Sequence, residues 1–348
     1  MQKRNKVIYI GNQLTKSGYN PTTIDGLSIK LKGMGFNVVT ASSKRNQIFR
    51  LLDMCWLIIT HAKTSKVVLI DTYSTKAFYY AVICACLCRL LNLPYVPFLH
   101  GGNLPDRLAK NPRLSAFMFG KAFANISPSR YLEKSFADKG FKVTVIPNFI
   151  EIDKYPFTIK KMDLPRLLFV RSFHKIYNPL MALRVLMELN NQFSNPKLFM
   201  VGPDKDGSMI HFKENIEKME LMDQVVVTGR LSKEDWVKLA LECNLFINTS
   251  NFDNMPVSII EAMALGLPVI STNVGGISWV IDHGHNGFLC DRDNEKQMAD
   301  LIRNLFDDEQ LTEDIIQHGR KYAESLDWES SVKHLWVSFF QQLQITLH

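Results

Sequence analysis

Short β-branched strands, each running into a glycine or a polar loop and followed by a helical stretch, recur along this chain. Val7–Ile10, Asn37–Thr40, Val67–Ile70, Tyr95–Leu99 and Val143–Ile146 read as strands, with Thr75–Leu91 a helix closed by Asn92 and Pro94. Asn20-Pro21 has the form of a helix start, with Asn as N-cap and Pro at the first helical position. The pattern restarts with strands Leu167–Val170, Lys197–Val201, Val225–Thr228, Leu245–Asn248 and Pro268–Ser271, and with helices Pro179–Asn190, Lys233–Leu241 and Val257–Leu265. Repeated strand–helix units predict parallel sheets covered on both faces. At 348 residues the chain suits two such cores. The expected architecture is therefore α/β, with two Rossmann-like doubly wound domains at 1–155 and 160–327. Glu151–Pro165, with two prolines and mixed charge, reads as the linker, and a C-terminal helix at about 328–348 is expected to pack back onto the first domain. Ligands of such sheets bind outside the carboxyl ends of the strands. Gly11, His100, Arg171, Gly202, Gly229 and Ser250 fall there, which predicts one cleft between the domains.

Composition narrows the class. With 46% hydrophobic and 22% charged residues, the chain is neither disordered nor fibrous. The uncharged run Ala77–Cys88 has twelve residues where a membrane span needs about 20. After the basic start, only Val7–Ile10 forms an apolar run, too short for a signal peptide, so a cytoplasmic chain is expected. Six cysteines without a Cys-x-x-Cys read as reduced, mostly buried thiols rather than zinc ligands or a disulfide scaffold.

Charge is divided unevenly. Residues 1–150 hold 21 Lys and Arg against 6 Asp and Glu, a balance of +15, and residues 151–348 hold 20 against 28, a balance of −8. A basic half can meet nucleic acid, anionic lipid or a phosphorylated substrate, or it can be plain solvated surface.

The stretch that carries chemistry is Ser250–Gly276. Asp253 or Asn254 can cap the helix that follows, Pro256 suits its first turn, and Gly266 with Pro268 ends it. Free amides around Asn254–Val257 can then bind phosphate with help from the helix dipole. The eight-residue spacing of Asp253 and Glu261 proves nothing alone; its setting of turn, helix start and closing Gly-x-Pro gives it meaning.

On these residues, Asp253–Pro268 followed by Val269–Gly276 resembles family 4 of the retaining glycosyltransferases, the group 1 enzymes with the two-domain GT-B fold. The resemblance covers about residues 165–292 closely and the first 150 more loosely. It implies that Glu261 holds the ribose hydroxyls of a sugar nucleotide, and that Asn254, Met255, Pro256 and Val257 meet the diphosphate and donor sugar. It implies further that Arg171 neutralises the diphosphate and that Gly229, Arg230 and Leu231 border the nucleobase. His100 resembles the family histidine that contacts the donor sugar, and Gly11 the first glycine-bearing loop, where a missing side chain lets donor and acceptor approach. There are departures. Asp253 stands for the usual Glu and Asn254 for a common Gly, Lys175 follows Arg171 by four residues rather than five, and Trp279 occupies a place where an acid is frequent.

Several motifs read otherwise. Lys16-Ser17 lies between Gly11 and Gly18 but lacks the glycine before the lysine that a P-loop needs. Asp204-Lys205-Asp206 and Asp291-Arg292-Asp293 have the Asp-x-Asp form that other glycosyltransferases use for metals, yet both fall in polar loops where Asp serves turns. His174 reads as loop surface.

The resemblance thus implies a retaining, metal-independent glycosyltransferase without a cofactor. A nucleoside-diphosphate sugar is the donor, a glycan or lipid-linked hydroxyl the acceptor, and nucleic acid is not a partner. Arg171, Lys175 and the helix amides would stabilise the leaving diphosphate, with Asp253 and His100 orienting the sugar. The basic first half and the apolar start Phe78-Tyr79-Tyr80 suggest peripheral contact with an anionic membrane surface at the inner leaflet, although a buried sheet-covering helix explains those aromatics equally. Two alternatives share the architecture: a GT-B sugar-nucleotide epimerase and a non-enzymatic two-lobed sugar-binding protein.

Overall fold

The computed structural model describes residues 6–15 and 22–343. The chain divides into two compact units, one formed by Met1–Pro147 with Lys333–His348 and the other by Asn148–Val332.

In the first unit, β1 (Lys6–Ile10), β2 (Asn37–Ala41), β3 (Ser65–Thr72), β4 (Tyr95–Leu99), β5 (Asn125–Ser127) and β6 (Val143–Val145) form a parallel sheet in the order β2-β1-β3-β4-β5-β6. Helices α1 (Thr23–Gly33), α2 (Gln47–His61), α3 (Ala77–Leu90), α4 (Leu104–Lys110), α5 (Pro112–Phe119) and α6 (Arg130–Ala137) connect the strands. Ile8, Ile10, Val68, Ile70 and Leu99 are fully buried against Ala81, Cys84 and Cys88 of α3. The cysteine alternation now has a cause: Cys84 and Cys88 lie one turn apart on the core face, while Cys86 points outward.

The second unit repeats the plan with β7 (Arg166–Val170), β8 (Lys197–Val201), β9 (Val225–Gly229), β10 (Leu245–Asn248), β11 (Val269–Thr272) and β12 (Phe288–Cys290), ordered β12-β11-β10-β7-β8-β9 and parallel throughout. Its helices are α7 (Pro179–Leu189), α8 (Ser208–Lys218), α9 (Lys233–Leu241), α10 (Val257–Ala264), α11 (Glu295–Asp307) and α12 (Glu309–Glu324). A last helix, α13 (Lys333–Gln342), returns to the first unit, where Trp336 meets Phe98 at 5.6 Å between ring centroids and Phe340 meets Phe36 at 4.5 Å.

The expected strands are present, and the structure adds elements the sequence reading did not identify. α2 carries apolar residues around most of its circumference, which blurs the helical period, and β5 and β12 are three residues long. The helix start expected at Asn20-Pro21 lies outside the described residues; α1 begins at Thr23, with the Asp25 carboxylate accepting from the Thr22 amide at 2.9 Å. Lys16-Ser17 and residues 344–348 also lie outside them.

The stretch expected to be a linker belongs to the second unit. The Ile150 amide donates to Leu326 O (3.1 Å), the Trp328 amide to Ile150 O (2.9 Å) and the Ile152 amide to Asp327 Oδ1 (3.0 Å). Tyr155 is buried. Lys160 reaches the C-terminal end of α9, donating to Ala240 O and, just past the helix at 2.6 Å, to Cys243 O. Pro156 and Pro165 are therefore breaks in a strap packed onto the domain rather than signs of a free tether. Among the described residues no helix is long and apolar enough to cross a membrane.

Candidate functional site

In the second unit, the predicted residues gather at the ends of β7 and β9 and along α10. Arg171 leaves β7 with its amide bonded to Val201 O at 3.0 Å. Its guanidinium pairs with the Asp253 carboxylate and stacks over Tyr177, with Cζ 5.1 Å from the ring centroid. Burial raises the Tyr177 hydroxyl above its ordinary range, with Arg171 opposing and Asp253 adding to the rise. The Arg171 Nε is buried and without a partner.

Asp253 does not cap the helix, and neither does Asn254. Pro256 occupies the N-cap position of α10 and makes no side-chain capping hydrogen bond. Asp253 instead holds the turn before it. Oδ1 accepts from the Asn254 amide at 2.9 Å, the Asp253 carbonyl accepts from Gly276 N at 3.0 Å, and Oδ2 faces Arg171. Gly275 explains the glycine pair read in the sequence. It has φ +56°, and a Cβ there would lie 2.0 Å from Asp253 O, so only glycine fits. Asn254 and Met255 are buried, and Met255 O accepts from Asn148 Nδ2 at 3.1 Å. Val257 opens α10, and the hydroxyl of Ser258, next along, is buried without a partner.

Glu261 lies on α10 and is 7% exposed. Its Oε1 accepts from the Tyr155 hydroxyl at 2.8 Å and pairs with the Lys233 ammonium. Lys233 also sits over the Tyr155 and Trp236 rings, at 5.4 and 5.0 Å from their centroids. Burial, then the adjacent Glu261, push the Tyr155 hydroxyl far above its usual range, so it remains a donor. Neither Tyr155 nor Lys233 was identified from sequence. Lys233 stands two residues past the motif Gly229-Arg230-Leu231 and could have been found there; nothing local marked Tyr155. Gly229 ends β9 with φ +69°, Leu231 is partly buried and Arg230 is exposed.

Lys175 is exposed on the loop after Arg171. Its amide donates to Asp206 Oδ2 at 2.9 Å and its carbonyl accepts from Asn251 Nδ2 at 3.2 Å, so the backbone is fixed from both sides. Asp204 and Asp206 are occupied with turn amides, Asp204 Oδ1 accepting from Gly207 N at 2.9 Å and Asp206 Oδ1 from Ser208 N at 3.1 Å. Asp293 accepts from Asn178 Nδ2 at 2.7 Å. These are loop pins. Among the described residues no group of three or more His, Cys, Asp or Glu is arranged to hold a metal ion.

In the first unit, His100 directly follows β4 and its Nε2 lies 2.8 Å from Asp71 Oδ1, which also accepts from the Tyr9 hydroxyl at 2.9 Å. Phe98 and Tyr73 flank the imidazole at 4.2 and 5.4 Å between centroids. Asp71 is fully buried and its Oδ2 has no partner. Gly11 faces that atom: a Cβ would lie 2.4 Å from Asp71 Oδ2. The absence of a side chain at Gly11 therefore makes room for Asp71, a different reason from the ligand approach expected. Asp71 carried no sequence signal, being one acid inside an apolar strand.

The second unit thus offers polar groups suited to an anion with hydroxyls: a helix N-terminus with proline at its N-cap, a guanidinium with a buried free N–H, an unpartnered hydroxyl, and a buried carboxylate one turn further on. Residues 151–322 match the family model described as glycosyl transferases group 1. The chain is 24% identical over 264 residues to an uncharacterized glycosyltransferase of Methanocaldococcus jannaschii, covering 75% of this chain and 72% of that protein. Among solved structures, sucrose-phosphate synthase from Thermosynechococcus elongatus aligns with a TM-score of 0.78 at 15% identity, over 99% of this chain and 100% of that one. Anabaena HepE in complex with UDP and glucose aligns with a TM-score of 0.76 at 18% identity, over 98% and 100%. At these identities the likeness establishes the fold, and the two parallel α/β domains expected from the sequence are borne out.

Proposed function

We propose that this chain, which belongs through residues 151–322 to the group 1 glycosyl transferases, moves a sugar from a nucleoside-diphosphate sugar to an acceptor hydroxyl with retention of anomeric configuration and without a divalent ion. The observation that carries the reading is the pairing of orphan polar atoms, Arg171 Nε and Ser258 Oγ, with the start of α10, where Pro256 makes no side-chain capping hydrogen bond. Buried polar groups in folded proteins have partners, and a diphosphate supplies acceptors for all of these at once.

The chemistry follows from charge. As the glycosidic bond breaks, the diphosphate gains negative charge, and donors fixed in advance stabilise it without reorganising. Arg171 is such a donor, oriented by Asp253 and Tyr177; Lys175 adds a cation on a backbone held from both sides. Asp253, in turn, is aimed by Arg171 to accept from donor-sugar hydroxyls. Glu261 accepts from the ribose hydroxyls, with Tyr155 and Lys233 holding its carboxylate in one rotamer. His100 orients the donor sugar by resemblance, and its tautomer is set by Asp71. No protein nucleophile is assigned; attack from the leaving-group face, with a donor phosphate oxygen taking the acceptor proton, accounts for retention.

The acceptor we propose is a lipid-linked or surface-polysaccharide glycan precursor, reached by peripheral binding to the anionic inner leaflet. The +15 balance of residues 1–150 supports that reading. Product mass and anomeric configuration after incubation with UDP-, GDP- and ADP-sugars, with lipid-linked and free acceptors, test the proposal. UDP-glucose is the first donor to try, because HepE is solved with UDP and glucose. Donor consumed without any acceptor would favour epimerisation, and binding without turnover would favour a sugar-binding protein.

A further inference from the structure

The first unit carries an exposed apolar face that no part of the donor site uses. On α2, Ile48 (69% exposed), Leu52, Trp56 (67%) and Ile59 turn outward at the i, i+4, i+8, i+11 spacing of one helical stripe, with Phe49 exposed beside Ile48. Beside it, α3 exposes Tyr79, Ile83 and Leu90, also on one stripe. Of the aromatics read at the start of α3, only Tyr79 is outward, since Phe78 is fully buried and Tyr80 donates to Asp71 O at 2.8 Å. Lys44, Phe49, Leu52, Trp56 and Ile59 line an open groove of 680 Å³ along α2. Contiguous apolar surface of this kind marks an interaction site.

Its charge identifies the partner. Between residues 44 and 66 stand Lys44, Arg45, Arg50, Lys63 and Lys66 against a single acid, Asp53. That acid is bonded to Ser42 Oγ at 2.5 Å. A second copy would bring the same cations together and repel. A bilayer with anionic headgroups offers both complements, hydrocarbon for the stripe and phosphate for the cations. Tryptophan and phenylalanine on the apolar side, with basic residues at the helix start, match a helix lying in the interface. α2 has 15 residues, about 22 Å at 1.5 Å per residue, room for several headgroups along its length. Asn46 caps it, accepting from the Ile48 and Phe49 amides at 2.9 and 3.2 Å, so the surface is folded before any lipid arrives.

We infer that the α2 face, extended by the outward residues of α3, is a docking surface for an anionic membrane. The inference rests on the membrane reading above and assigns it to a specific helix. Co-sedimentation of the full chain with phosphatidylcholine vesicles, with and without about a third phosphatidylglycerol, tests both together. The wild type should partition onto the anionic vesicles only. Phe49→Ser/Trp56→Ser should lose about tenfold or more of that partitioning, and Lys44→Gln/Arg45→Gln should lose it at low salt and flatten the salt dependence. Donor affinity, measured by calorimetry, should stay at the wild-type value in both. Quenching of tryptophan fluorescence by bromolipid should be present in the wild type and fall in the conservative Trp56→Phe, which guards against damage by the serine variants. If the wild type binds no vesicle, the membrane reading fails and this inference with it. Wild-type binding that the Phe49/Trp56 variant retains, or quenching undiminished in Trp56→Phe, overturns the α2 assignment alone. A wild-type dimer that the apolar variant dissolves makes the face a self-association surface and overturns the lipid occupant.

Discussion

Glu261→Gln is the sharpest test of the donor site because it alters charge while keeping shape. The carboxylate is buried, and its Oε1 already accepts from Tyr155 and pairs with Lys233. The amide can keep the Tyr155 bond through its oxygen. What it loses is the charge that, on the proposed reading, strengthens acceptance from two ribose hydroxyls. Hydrogen bonds to charged groups contribute about 1.5–3 kcal/mol against about 1 for neutral ones, so a loss of about 1.4 kcal/mol is expected, tenfold in donor affinity. Stability should change less, because Lys233 is 44% exposed and water screens that side of the pair. Calorimetry with the donor's nucleoside diphosphate and its 2′,3′-dideoxy analogue isolates the contact. Removing the ribose hydroxyls should weaken wild-type binding by about tenfold more than it weakens binding by Glu261→Gln, the signature of a shared interaction. Equal losses in both proteins, or a folded variant with wild-type donor affinity, would refute the ribose role.

Arg171→Ala should lower turnover by about 10²-fold, since it removes charge stabilisation in the transition state, while wild-type activity survives EDTA; activity abolished by EDTA and restored only by a divalent ion would defeat the metal-free mechanism. Gly275→Ala forces a Cβ to 2.0 Å from Asp253 O at φ +56°, and should cost at least about 1–3 kcal/mol, read as a fall in Tm of several degrees with loss of turnover. Ellman's reagent should titrate two thiols in the native chain, exposed Cys86 and half-buried Cys55, whose thiol is drawn down to about 7 by a hydrogen bond with Cys84. Burial pushes Cys88, Cys243 and Cys290 up to about 12, so these should stay silent until the protein is denatured.

The sequence by itself determined the sheets and the motif that carries the family resemblance, because both are written locally. A strand such as Val225–Gly229 declares itself by β-branched residues ending in glycine, and Asp253–Pro268 carries its chemistry within one turn and one helix. Only the tertiary structure decided which groups those side chains meet. Asp253 could be read as a helix cap or a sugar contact; its engagement with Arg171, 82 residues away in sequence, required β7 and the turn after β10 to lie side by side. Tyr155 reaches Glu261 across 106 residues because the strap after Asn148 packs onto the second unit, and prolines that break helices cannot say whether the broken segment is free or bound. Asp71 was invisible for the same reason: an acid in an apolar strand acquires meaning only when His100, Tyr9 and the bare backbone of Gly11 converge on it. α2 shows the converse limit. Its apolar residues are plain in the sequence, but composition cannot tell a buried face from an exposed one. That distinction belongs to packing, which buries Met54 and Ile58 and leaves Phe49 and Trp56 in solvent.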